Sequence, residues 1–335
     1  MESRIRERYH DGVLAEATRL YGIAPECVRV LDGFESFIYE AGRDEMPLIL
    51  RIGHTLRRSE NAIRGEVDWI NHLARGGAAV AAAVPSARGS LVERIDDGQG
   101  EAFLATAFTK AEGKPLRKAD WTPAFLEQYG RVLGRMHALT KDYEPADPAW
   151  RRREWDDPSM LDAERFIPSE ETRVVERYRD VLRHLGTLPR GNRDSYGLIH
   201  QDAHAGNFHV DEAGLITLFD FDDCTYSWFA NDIAIVLFYA VPWDKEAAAF
   251  TGEFMGRFLS GYSKENRLDP VWLREFPHFL KLREIDLYAV IHRSFDVEHL
   301  DDNPWCARYM DGRRERIEAG VPYVEYDFTG LARFL

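Results

Sequence analysis

The chain has 335 residues, 45% of them hydrophobic and 30% charged, with a formal net charge of −14. That is enough apolar material for one large domain or two lobes, and the acidic balance argues against nucleic acid as a partner while suiting a cationic small molecule. No apolar run approaches the ~20 residues of a membrane span, the N-terminal MESRIRERYHDGVLAEA lacks the apolar region of a secretory signal, and Cys27, Cys224 and Cys306 stand far apart, so a reduced cytoplasmic protein without a structural zinc site is expected.

Residues 5–21 read as an amphipathic helix, with Ile5, Val13, Leu14, Ala17 and Leu20 along one side. Residues 28–41 alternate like a strand, break at Asp32 and Gly33, and resume, which is a hairpin. Its turn has little glycine, but the backbone N–H groups of Glu35 and Ser36 are placed to meet a phosphate. Residues 47–52 (PLILRI) form a buried strand carrying one cation, Arg51, and a positive charge in an apolar run needs an anion. Residues 59–74 read as a helix with Ile63, Val67, Ile70 and Leu73 on its apolar face and Glu66 available to Arg51. Residues 91–95 and 102–108 form a second hairpin, after which the strand pattern breaks.

From Thr122 the pattern turns helical, with a Thr N-cap, Pro in the first turn and an apolar face through Leu139. Residues 142–158 are a polar connection whose Arg151–Arg153 run reads as a solvated face in preference to a lip over the acceptor site. Another helix is expected over residues 166–185. After the central stretch, Asp232 stands at the start of a strongly apolar helix, IAIVLFYAV, of the kind that is buried all round. Further helices are expected over residues 245–262, within 272–299, and over 307–318.

The central stretch is LIHQDAHAGNFHVDEAGLITLFDFDD, residues 198–223. Short apolar runs separated by turn-forming residues predict strands at 198–199, 207–210 and 215–219. His200, Asp202 and Asn207 fall on one loop, and Asp220 falls at the end of the last run. A carboxylate orienting a hydroxyl, followed by amide and carboxylate oxygens suited to a hard cation, is the donor set that phosphoryl transfer requires. Asp222, one strand period beyond Asp220, points the same way and reaches the metal through water.

HQDAHAGN followed by LFDFDD resembles the motif pair of the aminoglycoside phosphotransferase and choline kinase-like superfamily. Its wording is nearest the bacterial branch with homoserine kinase type II and the stress-response kinase. The resemblance implies an α+β, bilobal protein-kinase-like fold, with a nucleotide-binding lobe over residues 1–110 and a catalytic, acceptor-binding lobe over 111–335. It implies ATP and Mg²⁺. Asp202 would be the catalytic carboxylate, Asn207 and Asp220 would hold the metal, and His200 and Asp232 would support the loop. Arg51 would stand where the family presents Lys to the phosphates, anchored by Glu66; that departure replaces a point charge by a planar fork. Ser36 would meet phosphate, and Thr106, Ala107, Phe108 and Thr109 would offer backbone groups to adenine. Glu284, Asp286 and Tyr288 are the acceptor-site candidates. The expected activity is transfer of the γ-phosphate to a hydroxyl of a small polar metabolite, such as an amino alcohol or hydroxy amino acid. A Ser/Thr protein kinase, an aminoglycoside phosphotransferase and a non-catalytic binding or spore-coat module remain as alternatives.

Overall fold

The computed structural model describes residues 2–43, 46–117 and 120–335. In chain order the elements are α1 (Ser3–Arg6), α2 (Asp11–Tyr21), β1 (Arg29–Leu31), β2 (Phe37–Arg43), β3 (Met46–His54), α3 (Glu60–Arg75), β4 (Ala83–Val84), β5 (Glu93–Asp96), β6 (Ala102–Thr109) and α4 (Pro123–Thr140). They continue as α5 (Thr172–Leu185), β7 (Tyr196–Ile199), β8 (Phe208–Val210), β9 (Ile216–Leu218), β10 (Thr225–Trp228), α6 (Phe229–Ala240), α7 (Ala247–Tyr262), α8 (Phe276–Ser294), α9 (Pro304–Met310) and α10 (Arg313–Glu318). These elements form two compact units. The first holds Met1–Leu116, Asp142–Arg152 and Gly206–Cys224; the second holds Arg117–Lys141, Arg153–Ala205 and Thr225–Leu335.

The first unit is built on an antiparallel sheet in the order β1-β2-β3-β6-β4, with β5 also pairing β6. Strand periodicity divides β3 between two environments. Leu48, Leu50 and Ile52 are fully buried against Val13, Ala17, Leu20 and Tyr21 of α2. Arg51 belongs to the alternate face, the side of α3. The α3 helix begins at a Ser59 cap that accepts from the Ala62 N–H, as its sequence requires. The later segments join this unit through local pairing. Val80 bridges Leu218, Lys114 bridges Val210, and Phe221 packs edge-on to Trp69. The first unit therefore runs past the expected boundary at residue 110 and takes in the β8–β9 hairpin.

The second unit is mainly helical. Its one two-stranded sheet pairs β7 with β10, a partnership that local pattern does not reveal. All residues from Phe229 to Phe238 of α6 are buried, as its apolar sequence demands.

Three expected helices have different bounds. Residues 5–21 are interrupted between α1 and α2, because Tyr9 turns away to stack on Phe37 with ring centroids 3.7 Å apart. Its hydroxyl lies 2.6 Å from that of Tyr39. The helix expected from residue 166 starts only at Thr172, since Pro168 cannot continue a helix begun earlier. The last helix divides into α9 and α10 at Gly312, whose φ is +60°.

Gly65 faces the backbone of the 142–152 segment. A Cβ at this position would lie 1.9 Å from the Trp150 carbonyl oxygen. In an open helix Gly→Ala is worth about 1 kcal/mol of added stability. Here Gly65→Ala is expected to destabilise by about 1–3 kcal/mol through overpacking, read as a lower urea midpoint with unchanged slope.

Candidate active site

In the first unit the β1–β2 turn is closed tightly at Gly33, where a Cβ would lie 2.1 Å from the Ser36 carbonyl oxygen. Ser36, Arg51, Gly53, Arg57, Arg58 and Asp222 line one small crevice. Arg51 and Glu66 form a bidentate pair, with both N–O distances 2.7 Å. Their side chains are 8% and 0% exposed, so each charge depends on the other. Glu66 takes two of the five guanidinium N–H donors. The Arg51 guanidinium also lies 5.0 Å from the Phe108 ring centre.

The β8–β9 hairpin puts Asn207 and Asp220 at one end. Phe208 pairs with Leu218, and the Phe219 N–H donates to the Asn207 carbonyl at 2.9 Å. Asp220 adopts φ +63°, a conformation that non-glycine residues rarely hold outside functional turns. Water reaches its surface, but protein surrounds the carboxyl closely. Burial, then repulsion from Asp222, carries it up to about 7. A proton or a cation relieves that repulsion. With Asn207 at the same end of the hairpin, an amide and a carboxylate form a donor set that suits a hard divalent ion.

Asp222 has a different environment from the one its spacing suggests. Its carboxylate is ion-paired with Arg57 and Arg58. Burial opposes its charge, but the guanidiniums of Arg57, Arg58, Arg51 and Arg152 hold it well below the usual carboxylate range. It anchors arginines rather than waiting for a metal through water. Arg152, expected on a solvated face, is 4% exposed. It donates to the carbonyls of Asp222 at 2.6 Å, Ala62 at 2.7 Å and Cys224 at 2.9 Å. This ties the turn after β9 to α3.

In the second unit the loop after β7 is fixed by Asp232. Its carboxylate accepts from the His200 N–H at 3.0 Å and the Gln201 N–H at 2.9 Å. The ring of His137 lies 3.0 Å from the same carboxylate. Asp232 sits in the first turn of α6, while Trp228 occupies the N-cap position, so its partners are tertiary rather than local. Gln201 has φ +70°, and it and Asp220 are the two non-glycine residues with positive φ among those described. The next residue is Asp202, whose N–H donates to His200 Nδ1 at 3.3 Å.

One Asp202 oxygen accepts from Arg283 at 2.5 Å; the other lies 3.4 Å from His204 Nε2. The same Arg283 nitrogen donates to the Tyr239 hydroxyl at 2.6 Å. Burial raises the Asp202 carboxyl, but Arg283, then His204 and His200, bring it well below the usual range. It stays ionised at any ordinary working pH and can accept a hydrogen bond from a hydroxyl.

The acceptor candidates on α8 separate. Glu284 is fully buried between Lys281 and Arg313, with 2.7 Å to the latter, and is a structural ion pair. The Tyr288 hydroxyl donates to Glu171 at 2.7 Å, a packing contact. Asp286 remains: burial pushes it up to about 7, with Arg283 opposing and Asp162 adding to the shift. Thr106, Ala107, Phe108 and Thr109 lie inside β6. Ala107 and Phe108 run between β3 and β4, and the Thr109 N–H donates to the Ala82 carbonyl. Much of their main chain is therefore engaged within the sheet. Arg57, Arg58, Arg152 and Arg283 were not legible as site residues, since each acts through a partner distant in sequence. The RR pair directly after the Arg51 strand was the one available signal.

The pattern of the phosphotransferase enzyme family matches residues 26–276. The chain belongs to that family. Amicoumacin kinase of Bacillus subtilis (strain 168) is 41% identical over 333 residues, 98% of each chain. The structure of an amicoumacin kinase in complex with AMP-PNP, Ca²⁺ and Ami superposes with TM-score 0.92 at 41% identity, covering 99% of this chain and 100% of that one. A microcompartment-associated aminopropanol kinase has TM-score 0.71 at 23% identity, covering 92% and 98%. The α+β, kinase-like architecture expected from the motif pair holds, and the phosphotransferase is an enzyme of the kinase type. Among its described residues no helix is long and apolar enough to cross a membrane.

The raised Asp220 carboxyl gives this phosphotransferase a pH signature. If Asp220 ligates the ion, Mn²⁺ affinity is expected to fall about tenfold per unit as pH drops below about 7, because the ligand must lose its proton. Titrations at pH 6, 7 and 8 check this. Without metal, the raised group favours the folded state below its unfolded value of ~4 and loses that contribution as pH rises through about 7. Metal-free Asp220→Asn should therefore outlast the wild type in thermal unfolding above pH 7.

Proposed function

We propose that this phosphotransferase transfers the γ-phosphate of ATP to a hydroxyl of a small polar molecule, and that amicoumacin or a close relative of it is the acceptor. Full-length similarity to the amicoumacin kinases supports the acceptor. The observation that carries the chemistry is the Asp202 carboxylate, ionised by Arg283 and delivered by a loop that Asp232 holds in a strained conformation.

In this reading residues 1–110 handle the nucleotide, and the remainder supplies catalysis and the acceptor site. Arg51, fixed by Glu66, neutralises phosphate charge, and Ser36 contributes from the hairpin. Asn207 and Asp220 hold the divalent ion, Mg²⁺, which when bound neutralises charge on the phosphate oxygens. Asp202 accepts a hydrogen bond from the acceptor hydroxyl and aims its oxygen at the γ-phosphorus. The new O–P bond forms as the bond to the β-phosphate oxygen breaks. The hydroxyl proton passes to Asp202, and ADP leaves. A carboxylate held this acidic is a weak base, which fits a loose transition state where orientation counts for more than early proton removal. Arg283 fixes one carboxylate oxygen, and the acceptor hydroxyl would meet the other in place of the His204 ring that lies 3.4 Å from it.

ADP release should be measured across amicoumacin, aminopropanol, homoserine, choline, spectinomycin and a generic protein. Stimulation by amicoumacin, absent in Asp202→Ala, is the expected result. Stimulation by protein alone would replace the small-molecule reading. Asp202→Ala should lower kcat by about 10²–10⁴-fold with Mn²⁺ binding intact; unchanged turnover would remove Asp202 from the mechanism. In Arg283→Ala the Asp202 carboxyl loses its main depressing charge. The acid limb of the kcat–pH profile should then move upward, whereas a merely structural loss would lower kcat without moving the limb.

A further inference from the structure

A second group of metal-compatible side chains lies away from Asp202, where α5 ends and α8 begins. His184 is on the last turn of α5, Glu275 immediately precedes α8, and His278 is on its first turn. His184 Nε2 is 2.6 Å from Glu275 Oε2. His278 Nδ1 is 3.3 Å from the same oxygen. One ligand atom from each of the three residues can be chosen so that all lie within 4.8 Å of one another. The two rings stack with centroids 3.7 Å apart.

We propose that His184, Glu275 and His278 bind a transition-metal ion of the Zn²⁺ class, with water completing the coordination.

The donor chemistry fits that class: two imidazoles and a carboxylate suit Zn²⁺, Ni²⁺ or Co²⁺, whereas Mg²⁺ and Ca²⁺ favour oxygen throughout. Spacing fits as well. Ligand bonds of about 2.0–2.1 Å in a tetrahedron place donor atoms about 3.3 Å apart. The His278–Glu275 separation already has that value, the His184–Glu275 separation needs to open by less than 1 Å, and the two stacked rings must splay so that the ion lies in the plane of each. His278 Nδ1 is buried and poorly aligned for a hydrogen bond to Glu275 Oε2 at 3.3 Å, an arrangement that normally has a cost and that a metal would remove. Burial, then the charge of His184, holds the His278 imidazolium below its ordinary range, favouring the neutral ring that ligates. The side chains are 38%, 19% and 40% exposed for His184, Glu275 and His278, so the cluster lies near the surface, and the His278 ring must turn to bring its buried Nδ1 to an ion. Binding would pin α5 to α8, the helix that carries Arg283.

The test uses the full chain, free of affinity tags and stripped of metal, in excess Mg²⁺ to occupy the Asn207–Asp220 end. Zn²⁺ is titrated against a chromophoric chelator, and Co²⁺ is followed by its visible absorption. One Zn²⁺ per chain is expected, with a tetrahedral Co²⁺ spectrum. His184→Gln and His278→Gln should weaken binding by more than the about 10–100-fold that loss of an outer-shell partner costs. Equal uptake by wild type and both variants, or none by the wild type, overturns the site. Should either variant misfold, carbethoxylation of the wild type decides: Zn²⁺ must protect His184 and His278, and equal labelling with and without Zn²⁺ overturns the proposal.

Discussion

The buried carboxylate of Asp232 is the constraint on which the catalytic loop depends. Two consecutive backbone N–H groups, from His200 and Gln201, converge on it. Without that acceptor, two buried donors would be orphaned, at about 1–3 kcal/mol each. A left-handed Gln201 would also lose the contact that holds it there. The φ of +70° at Gln201 is what redirects the chain, so that Asp202 meets Arg283. The strain is therefore local, and its compensation lies about thirty residues along the sequence, on a helix with no surface of its own. A loop made this way is not tuned residue by residue; it exists only once α6 is packed.

The turn after β9 in the first unit uses the same logic with opposite charges. Asp220 also occupies left-handed space, but the groups that hold its neighbourhood are guanidiniums. Arg152 gathers the Asp222 and Cys224 carbonyls, and Arg57 and Arg58 take the Asp222 carboxylate. Asp222 is thereby fixed as an anion while Asp220, whose charge Arg51 offsets only in part, is pushed up by burial and by Asp222. Two aspartates at one strand period acquire opposite pKa shifts from their surroundings alone. The unfavourable one is the group disposed to take a cation.

Legibility followed the range of the interaction. The donor spacing in residues 198–223 survives any change in packing, because a hairpin and a loop of fixed length carry it; the family and fold were therefore readable. Arg51 and Glu66 were readable as a pair since a strand period and a helix face each constrain one partner. Glu284 and Tyr288 looked like acceptor groups because their helix position gives no sign that Arg313 and Glu171 would occupy them. Arg283 was passed over for the same reason, as its partner lies 81 positions away. The break at Tyr9 likewise came from partners that local pattern does not name.

Arg51 shows how far a substitution within a motif can be read. A lysine at this position would give Glu66 one ammonium and keep little directional preference. The arginine fork instead saturates both Glu66 oxygens at 2.7 Å, and the Phe108 ring lies alongside. Its plane is then fixed by two bonds before any phosphate arrives, and three N–H donors remain for an anion. The cation of this strand is thus pre-oriented rather than flexible. The loss of a small mobile charge is balanced by a donor face whose direction is set by α3. Geometry of this kind favours an anion whose oxygens approach in one plane, which makes the departure from lysine a change in the direction of the charge rather than in its presence.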